Sequence, residues 1–194
     1  MSFPPDVRLA FSPLDTYREL TKERTAGTWR QALERPAFVA LLVGTLVTMS
    51  SAGRVTIGLV VVGVLCWAFV PALQILAGAI IIRSARGRAT SVARSIELLF
   101  IGHLPWSLWL LTVFGAFTFS TWPLSLAVLV LSTLIPTVWT TAIVFAFCRT
   151  ALGDSPGGAR IRTMAHQAII WTFVVSYLLV VSGLWPRVLA AIGQ

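Results

Sequence analysis

The sequence predicts an all-α, polytopic membrane protein with five transmembrane helices and an interfacial amphipathic helix at its N-terminus. Of its 194 residues, 57% are hydrophobic and only 11% are charged, a balance outside the range of soluble domains. Several uncharged apolar runs exceed 17 residues and are long enough to cross the hydrocarbon core of a bilayer. The basic residues also cluster in segments that these runs would place on one side of a membrane.

The stretch FSPLDTYREL, residues 11–20, predicts the amphipathic helix within a cytoplasmic arm of residues 1–35. Ser12 suits an N-cap and Asp15 completes a capping box, and we expect the helix to end near Gly27. Its apolar face consists of Leu14, Tyr17 and Leu20. Because acidic residues nearly balance basic ones in this arm, two roles remain open. The helix is either an interfacial anchor that orients the first span or a docking surface for a soluble partner.

Five apolar runs within residues 36–186 make up the predicted transmembrane domain, and residues 187–194 form a short tail beyond it. The predicted spans are Pro36–Gly53, Val55–Ile82, Ile96–Phe119, Trp122–Cys148 and Ala168–Trp185. The second run is longer than a bilayer core requires and contains Pro71 near its middle. We therefore expect a kink or a strong tilt at this proline.

The distribution of positive charge predicts a cytoplasmic N-terminus and a C-terminus on the outside. Thirteen of the fifteen Lys and Arg residues fall on the side of the N-terminal arm, and only Arg54 and Arg187 fall on the other. Arg outnumbers Lys fourteen to one, which is typical of GC-rich bacterial genomes, so the expected location is a bacterial inner membrane. Because the chain has no soluble basic module, its net charge of +8 reports topology and not a nucleic-acid partner.

Polar residues within the spans are costly in a bilayer and are therefore functional candidates. Glu97 lies at the cytoplasmic mouth of the third span, three residues after Arg94. Arg94 either neutralises this carboxylate or leaves it to handle protons or cations. His103 follows in the same span, just before Pro105, which frees a backbone carbonyl one turn earlier. His166, the only other histidine, is predicted on the same side of the bilayer, so the two rings are able to approach each other.

The fourth span carries a line of hydroxyls at a spacing of four residues, which we call the threonine stripe: Thr133, Thr137 and Thr141. Such hydroxyls either bond carbonyls of their own helix, which favours packing, or line a polar groove between helices. Gln74 lies in the second span, three residues after Pro71, and is placed to serve the same groove. The candidate polar groove therefore comprises Glu97, His103, Gln74 and the threonine stripe.

The sequence contains no recognisable catalytic constellation or metal-binding motif, so we expect neither an enzyme nor a cofactor. Nucleophile-elbow, zinc-protease and phosphate-binding-loop motifs are all absent from it. Cys66 and Cys148 lie in apolar runs without C-x-x-C spacing and are expected to be inert packing residues. Two lone histidines without further ligands do not predict a metal or haem site.

Three stretches resemble bacterial members of the Yip (Ypt-interacting protein) domain family of five-span membrane proteins. FSPLDTYREL resembles the family's opening, an apolar residue and Pro followed by an aromatic residue and a Leu. RGRATSVARSIELLFIGHLPW is similar to its loop into the third span, and GDSPGGARIRTMAHQAII resembles its last cytoplasmic connection. The resemblance implies the five-span fold and orientation but no catalytic residues. WAFVPALQ stands where the eukaryotic branch carries a D-L-Y-G-P-type signature, which argues against the GTPase partner of that branch.

These expectations favour a membrane scaffold or complex subunit without catalysis. It would bind the lipid bilayer and other membrane or cytoplasmic proteins, alone or as an oligomer. The alternative is a small transporter or lipid-handling protein that uses the candidate polar groove. Five spans do not divide into two matched halves, which argues against the inverted repeats of many secondary transporters.

Overall fold

The chain is helical over nearly all of the residues that its computed structural model describes, namely 4–22, 27–85, 90–119 and 125–191. No strand occurs within these ranges. The helices, in chain order, are α1 (Pro5–Phe11), α2 (Pro13–Lys22), α3 (Trp29–Ala52), α4 (Ile57–Trp67), α5 (Phe69–Ser84), α6 (Val92–Ile101), α7 (Leu104–Phe119), α8 (Leu126–Ser132), α9 (Leu134–Thr150) and α10 (Pro156–Ala191). The predicted all-α class is therefore confirmed for this part of the chain.

Three stretches are long and apolar enough to cross a membrane: Trp29–Ser50, Ile57–Ser84 and Leu126–Thr150. A fourth is added if α6 and α7, which meet at a bend of 44°, form one span. These four overlap the first four predicted spans with different bounds, and the predicted start of the fourth span at Trp122 lies outside the described residues. The fifth predicted span, Ala168–Trp185, lies within α10, which is not among the stretches found in the described part of the chain. The count of five therefore stays a prediction.

Three of the apolar stretches are interrupted ahead of a proline. Proline has no N–H to donate and clashes with the carbonyl four residues back, so the helix is weakened one turn earlier. The interruptions lie at Ala68, Gly102–His103 and Thr133, ahead of Pro71, Pro105 and Pro136 respectively. The interruption near Pro71 is a single residue in the otherwise continuous stretch Ile57–Ser84, so the kink or strong tilt expected there stays a prediction. The break ahead of Pro105 gives the third span its bend.

Helix α3 begins at Trp29, seven residues before the predicted start of the first span at Pro36. Thr28 caps this helix, because its Oγ1 accepts the N–H of Gln31 at 3.3 Å. The side chain of Gln31 accepts the N–H of Thr28 in return, at 3.0 Å. The last seven residues of the predicted arm thus belong to α3. At the other end, Gly53 terminates α3 with a φ of 63° and begins the tight turn into α4.

The N-terminal arm folds back on the bundle as two short helices, α1 and α2, with Ser12 between them. The sequence pattern predicts α2 but gives no signal for α1. The indole N–H of Trp139, in α9, donates to the carbonyl of Ala10 at 2.8 Å. The ring of Phe11 packs on the same indole, with 6.2 Å between the ring centroids. Two ion pairs add to these contacts. Arg8 pairs with Glu19 and joins α1 to α2, and Asp6 pairs with Arg35 and joins α1 to α3.

The largest buried core lies where α2, α5, α6 and α9 meet. Its buried side chains include Tyr17, Ile82, Leu98 and Phe147. Much of the apolar surface of α4 and α8, by contrast, is exposed, as expected for helices that face lipid. The arm is therefore part of the packed core, and it lies beside the break between α6 and α7.

Candidate functional site

A small cavity lies between α5, the break between α6 and α7, α9 and α10. We call it the polar cavity, and its lining includes Gln74, His103, Trp106, Thr140, Ile143 and His166. Its volume is about 40 Å³. Because a buried water needs roughly 10–15 Å³ on this measure, the cavity has room for about three waters.

Four side chains that line the polar cavity each leave a polar atom without a hydrogen-bond partner among the described residues. The atoms are Gln74 Oε1, His103 Nε2, Thr140 Oγ1 and His166 Nδ1. The two histidines are deeply buried, with exposed fractions of 8% and 6%. A buried polar group without a partner costs roughly 1–3 kcal/mol, and such groups normally bind ordered water or a ligand. The polar cavity is therefore suited to holding a small polar species.

The break between α6 and α7 sets the position of His103. Pro105 donates no backbone hydrogen bond, and the N–H of Gly102 bonds the carbonyl three residues back instead of four. The Nδ1 atom of His103 lies 3.0 Å from the Oγ of Ser107, one turn later, and the imidazole stacks on the ring of Phe100. These two contacts orient the imidazole and leave Nε2 as its unpaired nitrogen.

His166 reaches the polar cavity from α10. Gln167 Nε2, in the same helix, also lacks a partner among the described residues, and the Thr163 hydroxyl lies beside the Cys148 thiol. These three side chains share one face of α10, since residues three and four apart are neighbours on a helix. This face of α10 is therefore polar beside the polar cavity, and Arg162 lies toward the N-terminal end of the helix. There the Nε of Arg162 lies 2.8 Å from the Oδ2 of Asp154.

The threonine stripe does not line the polar cavity. The hydroxyls of Thr133, Thr137 and Thr141 each donate to a carbonyl of the preceding turn, at 2.6–2.7 Å. Their hydrogen bonds serve the backbone of their own span, which supports the packing interpretation. Thr140, next to the stripe, lines the cavity together with Gln74 and His103, and a groove role for the stripe itself stays a prediction.

Glu97 also lies outside the lining of the polar cavity. Its Oε1 is 2.8 Å from the Nη1 of Arg94, and both side chains are mostly buried. Arg94 in addition donates from Nη2 to the carbonyl of Leu20, near the end of α2, at 3.4 Å. Of the two roles left open for Glu97, this geometry favours neutralisation by Arg94.

Tyr17 joins α2 to the bent span beside the polar cavity. Its side chain is fully buried, and its hydroxyl donates to the carbonyl of Leu98 at 3.2 Å. The helix break frees this carbonyl, because the N–H of Gly102 bonds elsewhere. The phenol ring meets the ring of Phe147 edge-on, with 5.7 Å between centroids. Burial raises the pKa of the Tyr17 phenol, so the hydroxyl stays protonated and remains a donor.

The predicted apolar face of α2 is thus divided between the chain's own core and the surface. Tyr17 is buried, and Leu20 is partly buried against the same core. Leu14 remains 38% exposed. An interfacial or partner-docking role for α2 stays a prediction, and it rests on Leu14 and the exposed charges beside it.

Replacing Tyr17 with Phe should lower the apparent Tm of the purified protein by about 3–8 °C, because the Leu98 carbonyl loses its donor in a buried place. Thermal unfolding followed by circular dichroism in detergent measures the change. Tyr177→Phe is the matched control, since Tyr177 is the chain's only other tyrosine and is 38% exposed. Equal apparent Tm values for the two variants would contradict the structural role of the Tyr17 hydroxyl.

A larger apolar groove of about 350 Å³ lies between α7 and the α8–α9 pair. Trp109 and Trp139 are among its lining residues. Its polar groups are paired within the protein: the Nε1 of Trp109 donates to the Oγ of Ser132 at 3.0 Å, and the Thr112 hydroxyl donates to the carbonyl of Leu108. This groove therefore suits an apolar chain and offers no free group to a polar ligand.

Fold and site together describe an α-helical protein with three or four stretches long and apolar enough to cross a membrane and a polar cavity between helices. Within the described ranges, no three His, Cys, Asp or Glu side chains are grouped so that they could hold a metal ion. Cys66 is exposed, Cys148 is buried, and both are free thiols. Among known proteins, the chain has no significant match to a family model, to a curated protein or to a solved structure. The Yip resemblance therefore rests on the quoted stretches and stays a prediction.

Proposed function

We propose that this chain is a non-catalytic, five-span protein of the bacterial inner membrane that passes a small polar species through its polar cavity. One observation carries the proposal: four unpaired polar atoms line a single small cavity between apolar helices. In a bilayer such groups are expensive and are typical of sites for ions or polar substrates. The cavity volume of about 40 Å³ limits the species to the size of a few waters.

The proposed topology has a cytoplasmic N-terminus and a C-terminus outside. Four of its five spans have a counterpart among the apolar stretches of the structure, and α10 contains the fifth. Thirteen of fifteen basic residues fall on the side assigned to the cytoplasm, which supports the orientation. The same five-span pattern is the one that the Yip resemblance implies.

The polar cavity favours transport over scaffolding. Unpaired polar groups in the interior do not stabilise a scaffold, because replacing buried polar partners with apolar groups of the same shape is often neutral or stabilising. Tyr17, which the sequence placed on a partner-binding face, is also buried in the chain's own core. Lipid handling would instead use the apolar groove, but that groove presents no free polar group for a headgroup.

Flux measurements on purified protein in proteoliposomes test the proposal. Protons, ammonium, potassium and water serve as the probes, because all of them fit the cavity volume. We expect wild-type protein to pass at least one of them faster than empty vesicles do. His103→Leu and Gln74→Leu should lower that flux by about tenfold or more, because each removes a polar atom from the cavity.

Thr137→Val is the matched control for these variants. It changes a hydroxyl in the same part of the membrane that bonds only its own helix, so the flux should stay within about twofold of wild type. If intact wild-type protein passes none of the four probes, transport is overturned and the scaffold interpretation takes its place. Equal loss of flux in Thr137→Val would show that the cavity is not the path.

A further inference from the structure

The two histidines of this chain, His103 and His166, line the same small cavity although 62 residues separate them in sequence. Each contributes one unpaired ring nitrogen, Nε2 in the first and Nδ1 in the second. Both side chains are more than nine-tenths buried. They come from different elements, the α6–α7 break and α10, so the fold itself brings them together.

The hydrogen-bonding capacity of the lining matches water. A neutral imidazole carries one donor and one acceptor, Gln74 Oε1 only accepts, and the Thr140 hydroxyl does both. Water donates two hydrogen bonds and accepts two, so it pairs with either tautomer of either ring. A bare metal cation would find no carboxylate in the lining, and it would be repelled by any ring N–H that points at it.

One face of α10 beside the cavity is also polar. Gln167, which shares that face with His166, carries an unpaired atom as well, and Thr163 is a further polar residue on it. The face begins one residue after Arg162, whose partner Asp154 lies in the loop that the charge distribution assigns to the cytoplasm. Polar side chains therefore occur on α10 from the Arg162–Asp154 pair to His166.

We propose that the polar cavity holds one to three ordered waters that bridge His103 and His166 and let the two rings exchange a proton. In the transfer, an imidazolium at His166 releases its Nδ1 proton to the bridging water. That water passes one of its own protons to Nε2 of His103, so the positive charge moves and no bond between heavy atoms changes. This inference rests on the proposed function, because both require the polar cavity to be a ligand site. It adds that the bound ligand is water.

No ionisable side chain other than the two histidines is among the residues that line the polar cavity. On α5, α6, α9, α10 and the loop before α10, the ionisable side chains described are otherwise Arg83, Arg94, Glu97, Cys148, Arg149, Asp154, Arg160, Arg162 and Tyr177, and Tyr17 of α2 packs beside them. Arg94 is paired with Glu97, and Arg162 with Asp154, so these charges largely cancel at short range. The lining itself therefore adds no further charge to the ring pair.

Solid-state NMR of the full chain, labelled with ¹⁵N-histidine and reconstituted in lipid bilayers, tests the proposal. Because the chain has two histidines, His166→Gln leaves only the His103 signals and assigns both rings. We expect cross-peaks between water protons and the ring nitrogens of both histidines. We also expect the tautomer balance of His103 to change in His166→Gln, since its exchange partner is gone.

Gln74→Leu should weaken the water cross-peaks several-fold, and Thr140→Val provides a second variant in case the first does not fold. Thr137→Val should leave them unchanged, because its hydroxyl bonds only the backbone. The proposal would be overturned if folded wild-type protein showed no cross-peaks between water protons and the ring nitrogens. It would also be overturned if the tautomer balance of His103 were the same in His166→Gln as in wild type. Neither result depends on flux, so failure here is separate from failure of the transport assay.

Discussion

Replacing Gly44 with Leu is expected to separate α3 from α4 and to leave little folded protein. A Cβ atom at Gly44 would lie 2.5 Å from the backbone nitrogen of Val64 and 2.8 Å from its Cα. A Cβ at Gly63 would lie 2.6 Å from the carbonyl oxygen of Gly44 in the same way. Because backbone atoms cannot turn aside as side chains do, the two helices would have to move apart, at a cost of about 3 kcal/mol or more.

The close approach also carries a polar contact that would be lost. The hydroxyl of Thr48, in α3, donates to the carbonyl of Gly44 at 2.8 Å and lies 3.1 Å from the carbonyl of Leu59 in α4. Small residues that let backbones meet, and hydroxyls that cross between helices, are the usual means of helix association in lipid. Gly44→Leu removes the first and displaces the second.

Gly58→Leu is the control for this substitution. Gly58 lies in α4 as well, but a Cβ there would meet nothing within 4 Å. We expect it to run as a monodisperse peak in size-exclusion chromatography with an apparent Tm close to wild type, while Gly44→Leu aggregates or unfolds well below it. Similar profiles for the two variants would contradict the tight α3–α4 packing.

The fold class depends on features of short sequence segments, and for this reason the sequence predicts it. Apolar runs of sufficient length give the long helices, and the breaks at Ala68 and Thr133 lie about one turn ahead of Pro71 and Pro136, although Pro36 lies within the unbroken helix α3. The pair Arg94–Glu97 is also local, since residues three apart on a helix are neighbours. The short helix α1 gives no such signal, because seven residues hold barely two helical turns.

The composition of the polar cavity is not local, and the sequence predicts only part of it. Gln74, His103 and His166 stand out because polar residues are rare in apolar runs. Thr140 does not stand out from the neighbouring threonine stripe. Its helix is apolar on every face, so the sequence does not indicate which face turns toward the cavity. The contact of Ala10 with Trp139, 129 residues away in sequence, is not indicated by any pattern in the sequence around either residue.

Arg94→Met is expected to destabilise the protein by about 2–4 kcal/mol, because it leaves the mostly buried carboxylate of Glu97 without its cation. The same change removes the hydrogen bond from Arg94 to the carbonyl of Leu20, which ties α6 to α2. Chemical unfolding in mixed micelles measures the loss. Arg30→Met is the control, since the Arg30–Glu34 pair is exposed and should contribute little.

A double-mutant cycle separates the ion pair from the packing of the Arg94 side chain. Adding Glu97→Gln to Arg94→Met should recover part of the lost stability, because the uncompensated charge is then gone. Glu97→Gln alone should leave the flux through the polar cavity near the wild-type level, since Glu97 does not line it. Loss of flux in a stably folded Glu97→Gln variant would contradict a purely structural role for Glu97. It would indicate that the carboxylate takes part in transport. The cycle and the flux assay together therefore decide whether the charge at the mouth of the bent span serves the fold or the permeating species.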